Sequence, residues 1–374
     1  MTGEEICHPA WIEIDTGQFR KNIQLVRSYI GDKGYCLPVK ANAYGHGLVP
    51  MGKIAEEEGV DYLAVAHLVE GILLRRGGIT IPILVMGAIH EGQISDLIEF
   101  NLEVSVSSRL KAILASEGAR RLSKIVKVHI EVETGMQRTG MRPETALALI
   151  QEIKGDKNIE IVGVYSHLAT ADIPNNDAAL TQHESFRQFF LNLTTVYEKP
   201  LIRHMANSGG LLHYTEHCYD MVRPALLTFG YINGPVPKAL EAIRPCFSLK
   251  ARVSYFKVVA ADQGVSYGHT YHTKSQTRIV TIPIGYGDGY RRALSNCGSV
   301  LIRGERFPIV GTICMDQFMV DVGDAAVYVG DEVVLMGRQG SEEISLQEIS
   351  HLLGTIPYEI LCAFGSRLPR RYSS

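Results

Sequence analysis

The nonapeptide VKANAYGHG (39–47) sets a lysine between a short apolar run and a polar turn that contains glycine. The residues before it, Tyr35, Cys36, Leu37, Pro38 and Val39, read as a buried strand, where an unpaired ammonium is costly. An ordinary lysine at such a place snorkels outward along its alkyl stem. Asn42, Tyr44 and His46, crowded behind Lys40, raise the other reading, that its amine does chemistry.

Other polar residues also fall where apolar runs end. In VHIEVETGMQRTG (128–140), Val128, Ile130 and Val132 share one face, and His129, Glu131 and Glu133 share the other. With the apolar face against helices, Glu131 points inward and needs a partner, and Arg138 in the following loop is the nearest candidate. YSHLATAD carries His167 at its tip. HMANSGG places Asn207 and Ser208 before two glycines and a short helical stretch, a turn that offers backbone N–H groups to a phosphate. MVRPALLTFG delivers Arg223 at the end of its apolar pair. His213 and His217 have helical i, i+4 metal-ligand spacing, but no third ligand accompanies them, and no metal is expected.

These residues need a frame that gathers strand ends on one side. Strands are expected at 35–39, 62–66, 83–86, 103–106, 127–132, 161–165, 202–205 and 219–222, with helical spacing between them. Phe19, Ile23, Val26 and Ile30, for example, recur at i, i+4, i+7 and i+11 before the first strand. Repeated β–α units of this kind predict a (β/α)8 TIM-like barrel, whose sites lie where strands end. An open doubly wound sheet competes with it on periodicity alone. Beyond about residue 245 the apolar runs follow one another without long helices, and only SLQEISHLLG looks helical. That pattern predicts a mostly-β domain at 245–374 after a barrel domain at 1–244, with the link at 241–245.

The 374 residues are 46% hydrophobic and 21% charged, with a net charge of −3 and no long run of like charge. Nucleic acid and membrane surfaces are therefore not expected partners. The longest apolar run, 81–89, is far too short to span a bilayer. Seven cysteines form no CxxC pair, and the N-terminus lacks an apolar signal core. A reducing cytoplasm fits both features.

In order and spacing, VKANAYGHG, TGMQRTG, YSHLATAD, HMANSGG, VRPALLTFG, GVSYGHTY, IPIGYGDGYRR, CMDQFMVD and IPYEIL resemble the motifs of the alanine racemases, which are fold-type III pyridoxal-5′-phosphate (PLP) enzymes. The resemblance covers nearly the whole chain. It implies interconversion of L- and D-alanine, a supply of D-alanine for peptidoglycan, and a homodimer whose sites form between one chain's barrel and the other's β domain. Lys40 would hold PLP through its amine and act as one proton-transferring base, and Tyr267 from the partner subunit would be the other. Tyr44, Ser208, Tyr358 and the backbone at Ala225 and Leu226 would contact the cofactor phosphate, with Asn207 beside them. Arg223 would face the pyridine nitrogen, supported by His167 and His204. Arg138 would bind the substrate carboxylate; Tyr286 and Met315 would line the substrate entrance, with Cys314 and Asp316 in support.

Two positions depart from the family pattern. Glu131 stands where many members have a carbamylated lysine that orients the arginine, and Ala225 stands where glycine is usual. A two-base racemisation needs a base on each face of Cα; the resemblance implies the Lys40 amine and the Tyr267 phenol, and nearby cations are the natural means of lowering the phenol's pKa. An arginine at the ring nitrogen donates a hydrogen bond without giving up its proton, which disfavours decarboxylation and transamination. A racemase for another amino acid and a non-catalytic PLP-binding protein remain the alternatives, and the β domain carrying Tyr267 and Met315 speaks against the second.

Overall fold

The computed structural model describes residues 8–232 and 234–374, so Cys7 lies outside the described residues. The chain forms two compact units, one of residues 18–43 and 47–244, the other of residues 44–46 and 245–374 together with the segment up to Gly17.

The first strand, β1 (Ala10–Asp15), buries Ala10, Ile12 and Ile14 on one face. It pairs antiparallel with Phe247–Arg252 and parallel with Arg370–Ser373. The expected 1–244 boundary is therefore corrected, because this strand belongs to the C-terminal sheet. A closed barrel has no free edge at which another strand can satisfy its N–H and C=O groups, whereas an open sheet does.

The helix Thr16–Ile30 follows with Phe19, Ile23, Val26 and Ile30 buried, as their spacing predicts. Eight strands then close in chain order. They are β2 (Gly34–Pro38), β3 (Tyr62–Val65), β4 (Ile83–Val85), β5 (Glu103–Val106), β6 (Val126–Glu131), β7 (Ile159–Tyr165), β8 (Ile202–His204) and β9 (Met221–Val222). All pair in parallel, and β9 returns to β2 through Gly34↔Met221 and Tyr35↔Val222. That closure excludes the open doubly wound sheet. The last strand is shorter than expected because Tyr219 adopts φ +50°, off the extended conformation.

Parity along β6 sends Val128 and Ile130 outward and His129 and Glu131 into the barrel, all of them buried. Opposite His129 in register stands Gly163 on β7. A Cβ on Gly163 would lie 2.4 Å from His129 Nδ1 and 2.9 Å from the Ile202 carbonyl. The glycine makes room for an imidazole inside the barrel.

The second unit is an open, mostly antiparallel sheet. Its strands run, in spatial order, Tyr255–Val259, Thr277–Ile282, Phe318–Asp321, Glu305–Val310, Ser299–Ile302, Glu332–Gln339, Phe247–Arg252, β1 and Arg370–Ser373. A short ribbon, Gly264–Val265 with Tyr271–His272, carries Tyr267 in its loop. The expected helix runs over Leu346–Leu353, capped by Ser345 Oγ and by Gly354 at φ +62°. A second helix, Pro357–Ala363, is added where none was expected; seven residues are too few to show a periodic pattern. Among the described residues no helix is long and apolar enough to cross a membrane.

Gly163→Ala should destabilise the protein by about 1–3 kcal/mol through overpacking against His129. Chemical denaturation checks this, and an unchanged midpoint would show that His129 has room to move.

Candidate active site

Lys40 follows β2 at the C-terminal end of the barrel strand, and the chain then makes a left-handed turn. Ala41, Asn42, Ala43 and Tyr44 all have φ between +51° and +57°. For L-residues that conformation costs about 1–2 kcal/mol each, and successive ones persist only when their surroundings hold them. Glu70 Oε1 accepts from the Ala41 N–H at 2.6 Å, and Asn42 Oδ1 accepts from the Leu48 N–H at 2.8 Å. The other Glu70 oxygen accepts from the N–H groups of Ala66 and His67, anchoring the carboxylate to the next βα loop.

Arg223, 2% exposed, stands just after β9. Its Nη1 donates to His204 Nδ1 at 2.7 Å, and its Nη2 to the Ser166 carbonyl at 2.9 Å and to His167 Nδ1 at 3.2 Å. Its guanidinium carbon lies 5.4 Å from the Tyr165 ring centre. Burial pulls Arg223 below its ordinary pKa, from a starting value high enough that it remains a cation. His167 is pushed down to about 3 by burial first and then by Arg223, Arg138 and Lys40. Burial and Arg223 likewise hold His204 well below the ordinary value. Both imidazoles are neutral acceptors for one buried cation.

Two short helical turns open on the same strand ends. Asn207 Oδ1 caps the turn Ser208–His213 by accepting from the Gly210 N–H at 2.9 Å. Ser208 Oγ accepts from Leu227 N–H at 3.2 Å and so ties this turn to Ala225–Thr228. The opening N–H groups of both turns have no carbonyl one turn behind them. Ala225 is helical, so its methyl needs no positive φ.

Glu131 departs from expectation. Its Oε1 accepts from Thr139 Oγ1 at 2.6 Å and its Oε2 from Ser105 Oγ at 3.4 Å. No ion pair joins it to Arg138, which is exposed. The Met141 N–H bonds back to the Glu131 carbonyl, and Gly140 turns at φ +105°. That return sets the Thr139 hydroxyl, rather than the arginine one residue earlier, on the carboxylate.

In the second unit, Tyr44 and Tyr358 sit with ring centres 5.9 Å apart. Tyr267, Tyr286 and Met315 are exposed by 74%, 44% and 53% and border a groove of about 1020 Å³. The strand-end loops carrying them are bound together: Tyr286 N–H bonds to the Cys314 carbonyl and Gly287 N–H to the Met315 carbonyl. Gly285 permits this approach, since a Cβ there would lie 2.2 Å from the Cys314 oxygen. Asp316 pairs with Arg367 at 2.7 Å. His217 stacks on His183 rather than meeting His213 at a common point, and among the described residues no group of three or more His, Cys, Asp or Glu is placed to hold a metal.

The family model of the alanine racemase N-terminal domain matches residues 14–233, and that of the C-terminal domain matches 246–372. The chain belongs to the alanine racemase family. It is accordingly an isomerase of the amino-acid racemase class. An alanine racemase of Symbiobacterium thermophilum is 43% identical over 366 residues, covering 97% of each chain. One of Methanococcus maripaludis is 41% identical and covers 98% of this chain and 99% of its own. The solved alanine racemase of Clostridium difficile 630 in complex with cycloserine superposes with a TM-score of 0.91 at 35% identity, covering 98% of this chain and 96% of that one.

Against this alanine racemase fold, the barrel unit brings Lys40, His167, His204, Asn207, Ser208, Arg223, Ala225 and Leu226 to neighbouring strand ends or the turns behind them. Sequence reasoning missed Glu70, Glu103, Ser105 and Tyr165. The parity signal that turned Glu131 inward applies equally to Glu103 and Ser105 on β5.

Buried neutral histidines also set an acid limit. His167 is lowered to about 3 and His183 to about 4, the latter by burial and then by His217. Between these values and the ordinary 6.5 the unfolded chain binds protons that the folded chain does not, so stability falls as pH drops through that window. The melting temperature should therefore be lower at about pH 5 than at about pH 7, and a flat profile would argue against neutral buried imidazoles.

Proposed function

We propose that the chain interconverts L- and D-alanine with PLP by two-base proton transfer at Cα, as a cytoplasmic homodimer that supplies D-alanine for peptidoglycan synthesis. The observation that carries this reading is Arg223, a buried cation whose hydrogen-bond acceptors are all neutral, on the strand-end side that also carries Lys40.

The donor set fits the cofactor. Lys40 would supply the amine, and the turns at Ser208 and Ala225 would supply N–H groups for a phosphate. When bound, PLP supplies the electron sink that makes the alanine Cα–H acidic enough to remove. Arg223 would donate to the ring nitrogen and keep its proton, limiting that sink so that reprotonation outruns side reactions. Lys40 would take or return the proton on one face of Cα and Tyr267 on the other. Arg138, exposed and not engaged by Glu131, is available to bind the substrate carboxylate.

The dimer is supported by Tyr267, Tyr286 and Met315, large exposed side chains bordering one groove in the unit that does not hold Lys40. A second copy's barrel mouth is the occupant this reading assigns to it. Cysteine usage supports the cytoplasm: among the described residues no disulfide joins any two of the six cysteines. The peptidoglycan role rests on family analogy.

Borohydride reduction of the PLP-loaded protein should leave a phosphopyridoxyl mass on the peptide containing Lys40; a label on another lysine would sink the assignment. Lys40→Ala and Tyr267→Phe should each be nearly inactive with L- or D-alanine. Exchanging subunits between the two inactive proteins should restore roughly a quarter of wild-type activity, because about half the dimers are mixed and each mixed dimer has one intact site. If mass spectrometry confirms exchange and no activity returns, both bases come from one chain.

A further inference from the structure

A line of polar side chains runs down the barrel interior from Arg223. Arg223 Nη1 donates to His204 Nδ1 at 2.7 Å; His204 Nε2 lies 2.9 Å from His129 Nδ1, and His129 Nε2 lies 2.9 Å from Glu103 Oε2. None is more than 4% exposed. The inside of such a barrel is ordinarily filled by layers of branched apolar residues. A chain of four polar groups in their place calls for a reason.

The two ends dictate the order of protons. A guanidinium has donors and no acceptor, so His204 Nδ1 must present its lone pair. The proton of His204 is then on Nε2 and is donated to His129 Nδ1. His129 in turn carries its proton on Nε2 and donates it to the Glu103 carboxylate. The opposite order is closed, because the arginine cannot accept. Every hydrogen bond in the chain is satisfied by one arrangement, with a cation at the mouth, an anion at the far end and two neutral imidazoles between them.

The packing holds that arrangement. Tyr165 stacks on His204 with ring centres 4.9 Å apart and planes 12° from parallel. Tyr62 meets His129 edge-on at 6.1 Å. Gly163 leaves the space that His129 occupies. Glu131, the other acid on the inner face, is turned to Thr139 and Ser105 and takes no direct part.

We propose that Glu103 and His129 are positioning residues for Arg223, locking His204 as a permanent acceptor and supplying the arginine's counter-charge through two neutral imidazoles. The guanidinium is thereby kept charged and oriented with its remaining capacity toward the mouth of the barrel. The catalytic consequence rests on the function proposed above; the proton order does not.

Nitrogen-15 NMR of histidine-labelled wild type, with and without PLP, tests the order directly. His204 and His129 should both be neutral with the proton on Nε2, unchanged from about pH 6 to about pH 9, where a free imidazole would titrate. A proton on Nδ1 of either ring, or a doubly protonated ring, overturns the proposal. The role is tested with Glu103→Gln, which keeps an acceptor of the same shape but removes the charge and adds a donor. In the loaded enzyme its kcat should fall roughly 10- to 100-fold, the range found for outer partners of ligating histidines, with KM little changed. Transamination per racemisation event should rise, and His129 should populate both tautomers. Glu103→Asp, which restores the charge, should recover part of the loss. A lower melting temperature with unchanged kcat and transamination ratio would make Glu103 merely structural and overturn the assigned role. If Glu103→Gln does not fold, the wild-type tautomers and Glu103→Asp still decide. Failure of the wild type to bind PLP would instead refute the proposed function and leave the proton order to stand or fall on the apo spectra.

Discussion

A buried arginine without a touching carboxylate is the constraint on which the barrel's interior depends. Removing a guanidinium from water is expensive unless its donors are met and its charge is balanced. Arg223 meets the first demand with two histidines and two carbonyls, all neutral. Neutral partners leave its donors engaged without tying it to an adjacent anion. The second demand is met at a distance, through His204, which burial and the arginine's own field hold well below its ordinary pKa, and through His129 beyond it, which reaches the Glu103 carboxylate. The same cation thus determines the tautomer of its neighbours and the polarity of what lies beneath them.

That interior places unusual demands on strand composition. Parallel barrel strands are normally apolar on both faces, yet β5 and β6 direct Glu103, Ser105, His129 and Glu131 inward. Each is partnered: Glu103 by His129, Ser105 by Tyr165 at 2.6 Å, Glu131 by Thr139. A glycine on β7 compensates in volume for the imidazole beside it. Cys36, Ala64, Leu84 and Met221 form a cluster that keeps apolar packing.

The turn behind Lys40 shows the other way the fold supports chemistry. Four successive left-handed residues, none of them glycine, are held by two side-chain oxygens and by backbone bonds such as Ala43 N–H to the Val39 carbonyl. Backbone strain of that kind persists only where neighbouring elements over-determine the conformation. Here Glu70, from the next β–α unit, does so. Lys40 therefore leaves its strand along a path that residues 40–44 alone would not choose.

Local sequence determined the eight barrel strands, the first helix and the inward parity of β6, because each is written in the alternation or 3.6-residue spacing of its own residues. The motif at Lys40 and the residues Asn207, Ser208 and Arg223 were legible for the same reason: each sits where an apolar run stops. Three features were decided only in the folded chain. β1 joined the distant sheet because the barrel has no edge to offer it. Glu131 bonded to Thr139 rather than Arg138 because the returning loop, not sequence proximity, sets which side chain reaches a buried carboxylate. Glu103, His129 and His204 became one hydrogen-bonded line because strands remote in sequence stagger their inward residues at successive depths, and tautomers are chosen by partners that no single strand contains.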